Sequence, residues 1–204
     1  MYFTQLPKVL QTILPGMIWR ISTSEPVIYL TFDDGPTPDL TPWLLDLLND
    51  YRARATFFCL GKQVKTYPAL FQRIVDEGHS VGHHTFHHPD GWQVAGKKYT
   101  EDVENGHSQI ASPLFRPPYG RLTPGQYFSL MKRYRIVMWD ILTADFDTSK
   151  SPDHVFQEAK QAEPGSIIVF HDSPKARHNL VHALPQTLAY FSARGFTFAA
   201  LNSK

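Results

Sequence analysis

The chain has 204 residues, 42% hydrophobic and 13% aromatic, which suits one domain with a full core. Its formal net charge is +1 with neutral histidines and it has no long Lys/Arg block, so nothing in the composition points to nucleic acid. The single cysteine, Cys59, forbids an internal disulfide and sits in the apolar run ATFFCL, where burial is the expected role.

The first stretch, MYFTQLPKVLQTILPGMIWRI, is moderately apolar but interrupted by Gln5, Lys8, Gln11 and Thr12. It lacks a basic leader followed by an unbroken apolar run, so no signal peptide is expected. It is also too short and too polar to cross a membrane, so no transmembrane segment is expected. The reading is a short helix packed on the domain, with residues 1–24 as an N-terminal segment and 25–204 as the domain proper. Membrane contact through Val9, Leu10, Ile13 and Leu14 is the lesser alternative.

VIYLTF, residues 27–32, reads as a buried strand, and DDGPTP after it as a turn forced by Gly35 and Pro36. Leu44, Leu45, Leu47 and Leu48 mark a helical face, and residues 55–60 a second strand. Helix follows over 67–77 with Gly78 as its stop, then a short strand over 79–82. The later pattern is helix 99–110, strand 114–117, helix 123–133 and strand 135–141. It closes with helix 153–162, strand 165–171, helix 179–193 and a last strand in FTFAAL. Strands alternating with helices predict an α/β fold with a mainly parallel sheet. About seven such units fit a small (β/α) barrel, with an open doubly wound sheet as the competitor.

The polar residues able to do chemistry share one topological position. Asp33 and Asp34 follow the first strand, a histidine cluster the third, Arg116 and Tyr119 the fourth, Asp145 the fifth, His171 and Asp172 the sixth. In a parallel α/β fold these strand ends gather on one face. The turn at Gly35 can bring both aspartates of TFDDGP into a cleft, one to bind a metal and one to take a proton; the plainer alternative is a capping aspartate. Five of the ten histidines fall within GHSVGHHTFHHP, residues 78–89. His84 and His88 are four apart, a metal-binding spacing if the segment is helical, but His83 and His87 share it, so spacing does not choose the pair. Arg116 in FRPPYG can hold a carboxylate in a bidentate grip, and His171 in IIVFHD can protonate a leaving group with Asp145 or Asp172 orienting it. In MWDILTADFD, Trp139 and Phe146 are core or sugar-stacking surface.

In this order TFDDGP, HTFHH, RPPYG and VFHD resemble the signatures of the polysaccharide deacetylases, metal-dependent carbohydrate esterases of family four. The resemblance runs from about Pro26 to Leu201 and makes 25–204 a catalytic domain. It implies a distorted (β/α) barrel with outer helices, often seven-stranded, and an N-acetylated glycan as the partner. It implies Asp33 as general base, Asp34, His84 and His88 as metal ligands, and Arg116 as the residue orienting Asp33. Tyr119 matches the residue whose backbone N–H holds the oxyanion, His171 the general acid, and Asp145 its support. The implied cofactor is a divalent ion, zinc first, with cobalt or nickel as substitutes. Two departures are Phe146, where the family has tryptophan, and Val169, where it has leucine; both keep an apolar wall and bear on substrate preference. The expected reaction is N-acetyl hydrolysis; an O-acetyl esterase, a non-acetyl amidase and a silent glycan-binding protein are the alternatives. A cytoplasmic location is the expectation, with a cell-envelope role open.

Overall fold

The structure, a computed structural model, describes residues 16–202. In chain order its strands are β1 (Met17–Ile18), β2 (Val27–Asp33), β3 (Thr56–Cys59), β4 (Ser80–His83), β5 (Leu114–Phe115), β6 (Arg135–Val137), β7 (Ile141–Leu142), β8 (Ile167–His171) and β9 (Thr197–Phe198). Its helices are α1 (Thr41–Asp50), α2 (Gly61–Thr66), α3 (Pro68–Asp76), α4 (Gly96–Ile110), α5 (Pro124–Leu130), α6 (Pro152–Ala159) and α7 (Arg177–Ser192).

The strands form one sheet in the order β1-β6-β5-β4-β3-β2-β8-β7, with β9 pairing β2 off that path. Every ladder between these strands is parallel. The sheet curls with helices around it, but among the described residues no ladder joins β1 to β7. The fold is therefore a distorted barrel that is not fully closed.

This corrects the expected strand count. Eight strands lie on the main path, because Met17–Ile18 add an edge and the run expected as one strand over 135–141 splits into β6 and β7. The split has a visible cause. Met138 N donates to Ile18 O at 2.8 Å, while Asp140 N donates to Ile167 O at 3.0 Å, so the segment changes partner within three residues. The carbonyls of Val137 and Met138 also accept from the Arg116 guanidinium. The expected N-terminal helix falls mostly on residues 1–15, outside the described residues. Where the description begins, Met17–Ile18 are strand and pair with β6. The short helix α2 has no counterpart in the sequence reading.

Side chains alternate across the pleat. Ile28, Leu30 and Phe32 of β2, with Ile168 and Phe170 of β8, join a core shared with Leu44, Leu45 and Leu48 of α1 and Leu180, Leu184 and Leu188 of α7. Their neighbours in sequence face the barrel interior. There Phe58, Leu114, Val137, Ile167 and Leu201 form an apolar cluster, and Thr31 and Asp33 meet Arg116. Cys59 of β3 is fully buried and belongs to the core under the helices. Parallel pairing brings the strand ends to one rim, and register sets Asp33 opposite His171 and Cys59 opposite His83.

Gly82 is closely packed in this interior. A Cβ there would lie 2.5 Å from the Phe58 ring, which lies beneath the Arg116 guanidinium at 4.1 Å. Gly82→Ala should therefore cost about 1–3 kcal/mol of stability by overpacking. A denaturant midpoint equal to wild type would show that Phe58 can move aside freely.

Candidate active site

The site grows from the turn that ends β2. Asp34 takes a left-handed backbone, φ 79°, which carries its carboxylate to the same side as that of Asp33. Asp33 Oδ2 then lies 4.0 Å from His84 Nε2, and Asp34 Oδ1 lies 3.9 Å from the same nitrogen and 3.5 Å from His88 Nε2. One ligand atom from each of Asp34, His84 and His88 lies within 4.8 Å of the others. Asp34 Oδ1 is buried with no hydrogen-bond partner, as a carboxylate oxygen waiting for a cation would be. His84 Nδ1 donates to Arg116 O at 2.7 Å, which leaves its Nε2 lone pair facing the cluster. Burial, then the neighbouring His84, lowers His88 to about 4 against the pull of Asp34 and Asp33, so its imidazole is neutral near pH 7. The donor set and its protonation fit a divalent metal ion.

The two histidines do not meet on a helix. Residues 84–88 form a loop with left-handed turns at Thr85 and His88, φ 67° and 68°. Asp102 of α4 holds it: Oδ1 accepts from the N–H groups of Phe86 and His87 at 2.8 and 2.9 Å, and Oδ2 from His87 Nδ1 at 2.6 Å. His87 is thus a brace outside the cluster. His83 is a core residue, stacked on Phe115 with centroids 4.9 Å apart and edge-on to Tyr134 at 4.7 Å. Burial, then His107 and His84, hold it near 3, and neither ring nitrogen has a partner.

Arg116 is fully buried. Its Nη1 donates to Asp33 Oδ1 and Thr31 Oγ1, each at 2.7 Å, Nε to Val137 O at 3.2 Å and Nη2 to Met138 O at 2.8 Å. The grip on the carboxylate is through one oxygen, not two, since the other donors serve the barrel wall. Burial pushes the Asp33 carboxyl up, but Arg116, His84 and His171 outweigh it and hold it below the usual range.

On the other side His171 Nδ1 donates to Asp145 Oδ1 at 2.7 Å, and the His171 backbone N–H donates to Oδ2 at 2.8 Å. Burial alone would lower this imidazole; Asp145, then Asp34 and Asp33, raise it to about 9. Asp172, the other expected orienting group, points elsewhere and accepts from the hydroxyls of Thr37 and Thr41 at 2.8 and 2.5 Å. Phe146 lies edge-on to His171 at 4.9 Å, and Val169 is buried in the apolar cluster that Phe146 packs against. Tyr119 has a left-handed backbone, φ 58°, and its ring lies 4.6 Å from that of His88. Trp139 is buried in a core cluster with Tyr127 and Ile136, not a surface platform. The sequence reading missed Asp102, Thr31 and the Asp172–threonine brace. Each acts through the fold from a distant or unremarkable position, without a local pattern.

A family model described as polysaccharide deacetylase matches residues 20–136, more than half the chain. The chain belongs to the polysaccharide deacetylase family. It is 32% identical to a peptidoglycan-N-acetylglucosamine deacetylase of Bacillus cereus over 90% of each chain. It is 29% identical to a chitooligosaccharide deacetylase of Azorhizobium caulinodans, covering 91% of this chain and 98% of that one. A solved structure of a peptidoglycan N-acetylglucosamine deacetylase superposes with a TM-score of 0.87 at 27% identity, over 96% of this chain and 95% of the other. In this chain Asp34, His84 and His88 form a cluster that could hold a metal ion, beside Asp33 and His171 at the ends of paired strands.

Two outcomes test this geometry. His84→Ala should lose bound metal, whereas His83→Ala should keep it and lose on the order of 3 kcal/mol of stability through the cavity left in the core. Equal metal loss in both would reverse the ligand assignment. Asp102→Ala should weaken metal binding by about 10–100-fold, because it frees the loop that carries His88; titration with zinc reads this directly.

Proposed function

We propose that this protein hydrolyses the N-acetyl amide of an amino sugar within a glycan, releasing acetate and leaving a free amine. The observation that carries the reading is the placement of a buried carboxylate base and a cationic histidine around one three-ligand cluster. Asp34, His84 and His88 would hold the divalent ion, and two imidazoles with one carboxylate suit zinc, with cobalt or nickel as substitutes. Such an ion supplies Lewis-acid polarisation of the acetyl carbonyl and lowers the pKa of water.

Asp33 accepts the proton of the attacking water. Arg116 fixes one of its oxygens and keeps the group ionised, while the other faces the cluster. The Tyr119 backbone N–H serves as a donor to the oxyanion that develops on the acetyl oxygen. His171 delivers its proton to the sugar nitrogen as the C–N bond breaks, since an amide nitrogen leaves poorly without one. Asp145 holds the ring in the tautomer that presents Nε2–H and stabilises the cation. The names of the relatives support an N-acetylated glycan of the peptidoglycan or chitooligosaccharide kind as substrate.

Acetate release from N-acetylglucosamine oligomers and from peptidoglycan fragments, with metal-stripped and zinc-restored protein, tests the reading. Metal-dependent acetate is the expected result; metal-loaded protein that releases none from either sinks it. His171→Ala should keep its metal and lose about 10²–10⁴ in kcat. The pH profile has a definite sign. The working form of His171 is protonated, so kcat/KM should hold through neutral pH and fall as pH rises through about 9. Asp145→Asn removes the largest cause of that shift and should move the alkaline limb to lower pH. An unmoved limb would assign it to another group.

A further inference from the structure

Beside the metal cluster lies a rim of exposed side chains to which the reaction gives no task. Tyr119, against His88, is 58% exposed. The Arg121 guanidinium lies 5.6 Å from the centre of the Tyr119 ring and 4.8 Å from that of Trp92. Trp92, at 65%, is the most exposed of the large apolar side chains among the described residues.

The indole is nonetheless held in one pose. Its Nε1 donates to Leu122 O at 3.2 Å, and its backbone N–H donates to Asp90 Oδ1 at 2.9 Å. Asp90 Oδ2 accepts from Arg121 Nη1 at 2.5 Å. Gly91 O accepts from Gln126 Nε2 at 3.0 Å, and Gly91 packs so closely that a Cβ would stand 2.3 Å from Arg121 O. Fixing a large side chain costs conformational entropy, and the usual compensation is burial of its apolar area. Here most of that area faces solvent. A rigid, exposed aromatic plane next to a reaction site is built to be covered by what the site binds.

We propose that Trp92, backed on one face by Arg121 and its partner Asp90, is a stacking platform for a pyranose ring that flanks the sugar being deacetylated. This deepens the proposed glycan reaction and rests on it. A sugar seated at the cluster meets Tyr119 beside His88, and the glycan continuing along that rim reaches Arg121 and Trp92. The occupant follows from chemistry. The C–H face of a pyranose is flat and weakly apolar and covers an indole face, as other flat groups do. Its hydroxyl and amide oxygens accept hydrogen bonds, which suits a guanidinium close to the platform. Arg121 lies over one face of the indole, so the sugar takes the other.

The test compares wild type, Trp92→Ala and Trp92→Phe on the N-acetylglucosamine monomer, dimer and tetramer. It measures equilibrium binding by calorimetry alongside acetate release, with zinc content and melting temperature as controls. Trp92→Ala should weaken tetramer binding and raise its KM by about three- to tenfold, the scale of one aromatic contact. The monomer constants, the kcat at saturation and the zinc content should stay as in wild type, and Trp92→Phe should recover most of the loss. Unchanged tetramer affinity in Trp92→Ala, or an equal loss at every length, overturns the platform. So does a wild type that binds no oligomer. If wild type binds the tetramer and releases no acetate with zinc bound, the proposed reaction fails, and the binding comparison alone decides the platform. Self-association that disappears in Trp92→Ala, with glycan affinity unchanged, would assign the surface to a second copy of this chain and overturn the proposal.

Discussion

The buried guanidinium of Arg116 is the constraint around which this site is arranged. A charge with no solvent exposure is costly unless it is paired and its donors are satisfied. Arg116 meets that condition with Asp33, the Thr31 hydroxyl and two carbonyls of the opposite wall. Those partners come from β2 and from the β6 end, so the side chain spans the barrel interior. Its own carbonyl accepts from His84 Nδ1. One residue therefore holds Asp33 through its side chain and His84 through its backbone. The Phe58 ring beneath it and the bare Cα of Gly82 beneath that ring are part of the same arrangement.

Three histidines show how environment assigns different roles to one side chain. His83 and His88 are both driven down by burial, to about 3 and about 4. The first loses its charge to stack among aromatic rings; the second keeps a lone pair facing Asp34. His171 is also enclosed, yet the Asp145 carboxylate, followed by Asp34 and Asp33, reverses the sign and raises it to about 9. Desolvation sets neutrality as the default, and nearby carboxylates reverse it.

The sequence carried the parallel order of strands and helices, and with it the rule that Asp33, the His84 segment, Arg116, Asp145 and His171 share a rim. Short-range pattern is enough for that. It was not enough for the closure of the barrel, because RIVMWDI reads as one strand and only tertiary hydrogen bonds from Ile18 and Arg116 divide it. Nor could four-residue spacing separate His84 and His88 from His83 and His87; a β-strand residue and two left-handed turns decide it, and Asp102 on α4 fixes them. The resemblance had named the pair, and the reason lay in contacts distant along the chain.

Cys59 adds a property of a different kind. It is the only thiol in the chain, sits at the centre of the sheet in β3, and is fully buried. Burial, then the charges of Asp172 and Asp33, push its pKa up, so the native thiol is both inaccessible and protonated. A thiol reagent reaches it only when the helices packed over β3 lift from the sheet. The chain thus carries its own meter of that opening, a single reactive atom whose labelling rate reports how often the helix layer parts from the strand that leads into the turn at the site rim.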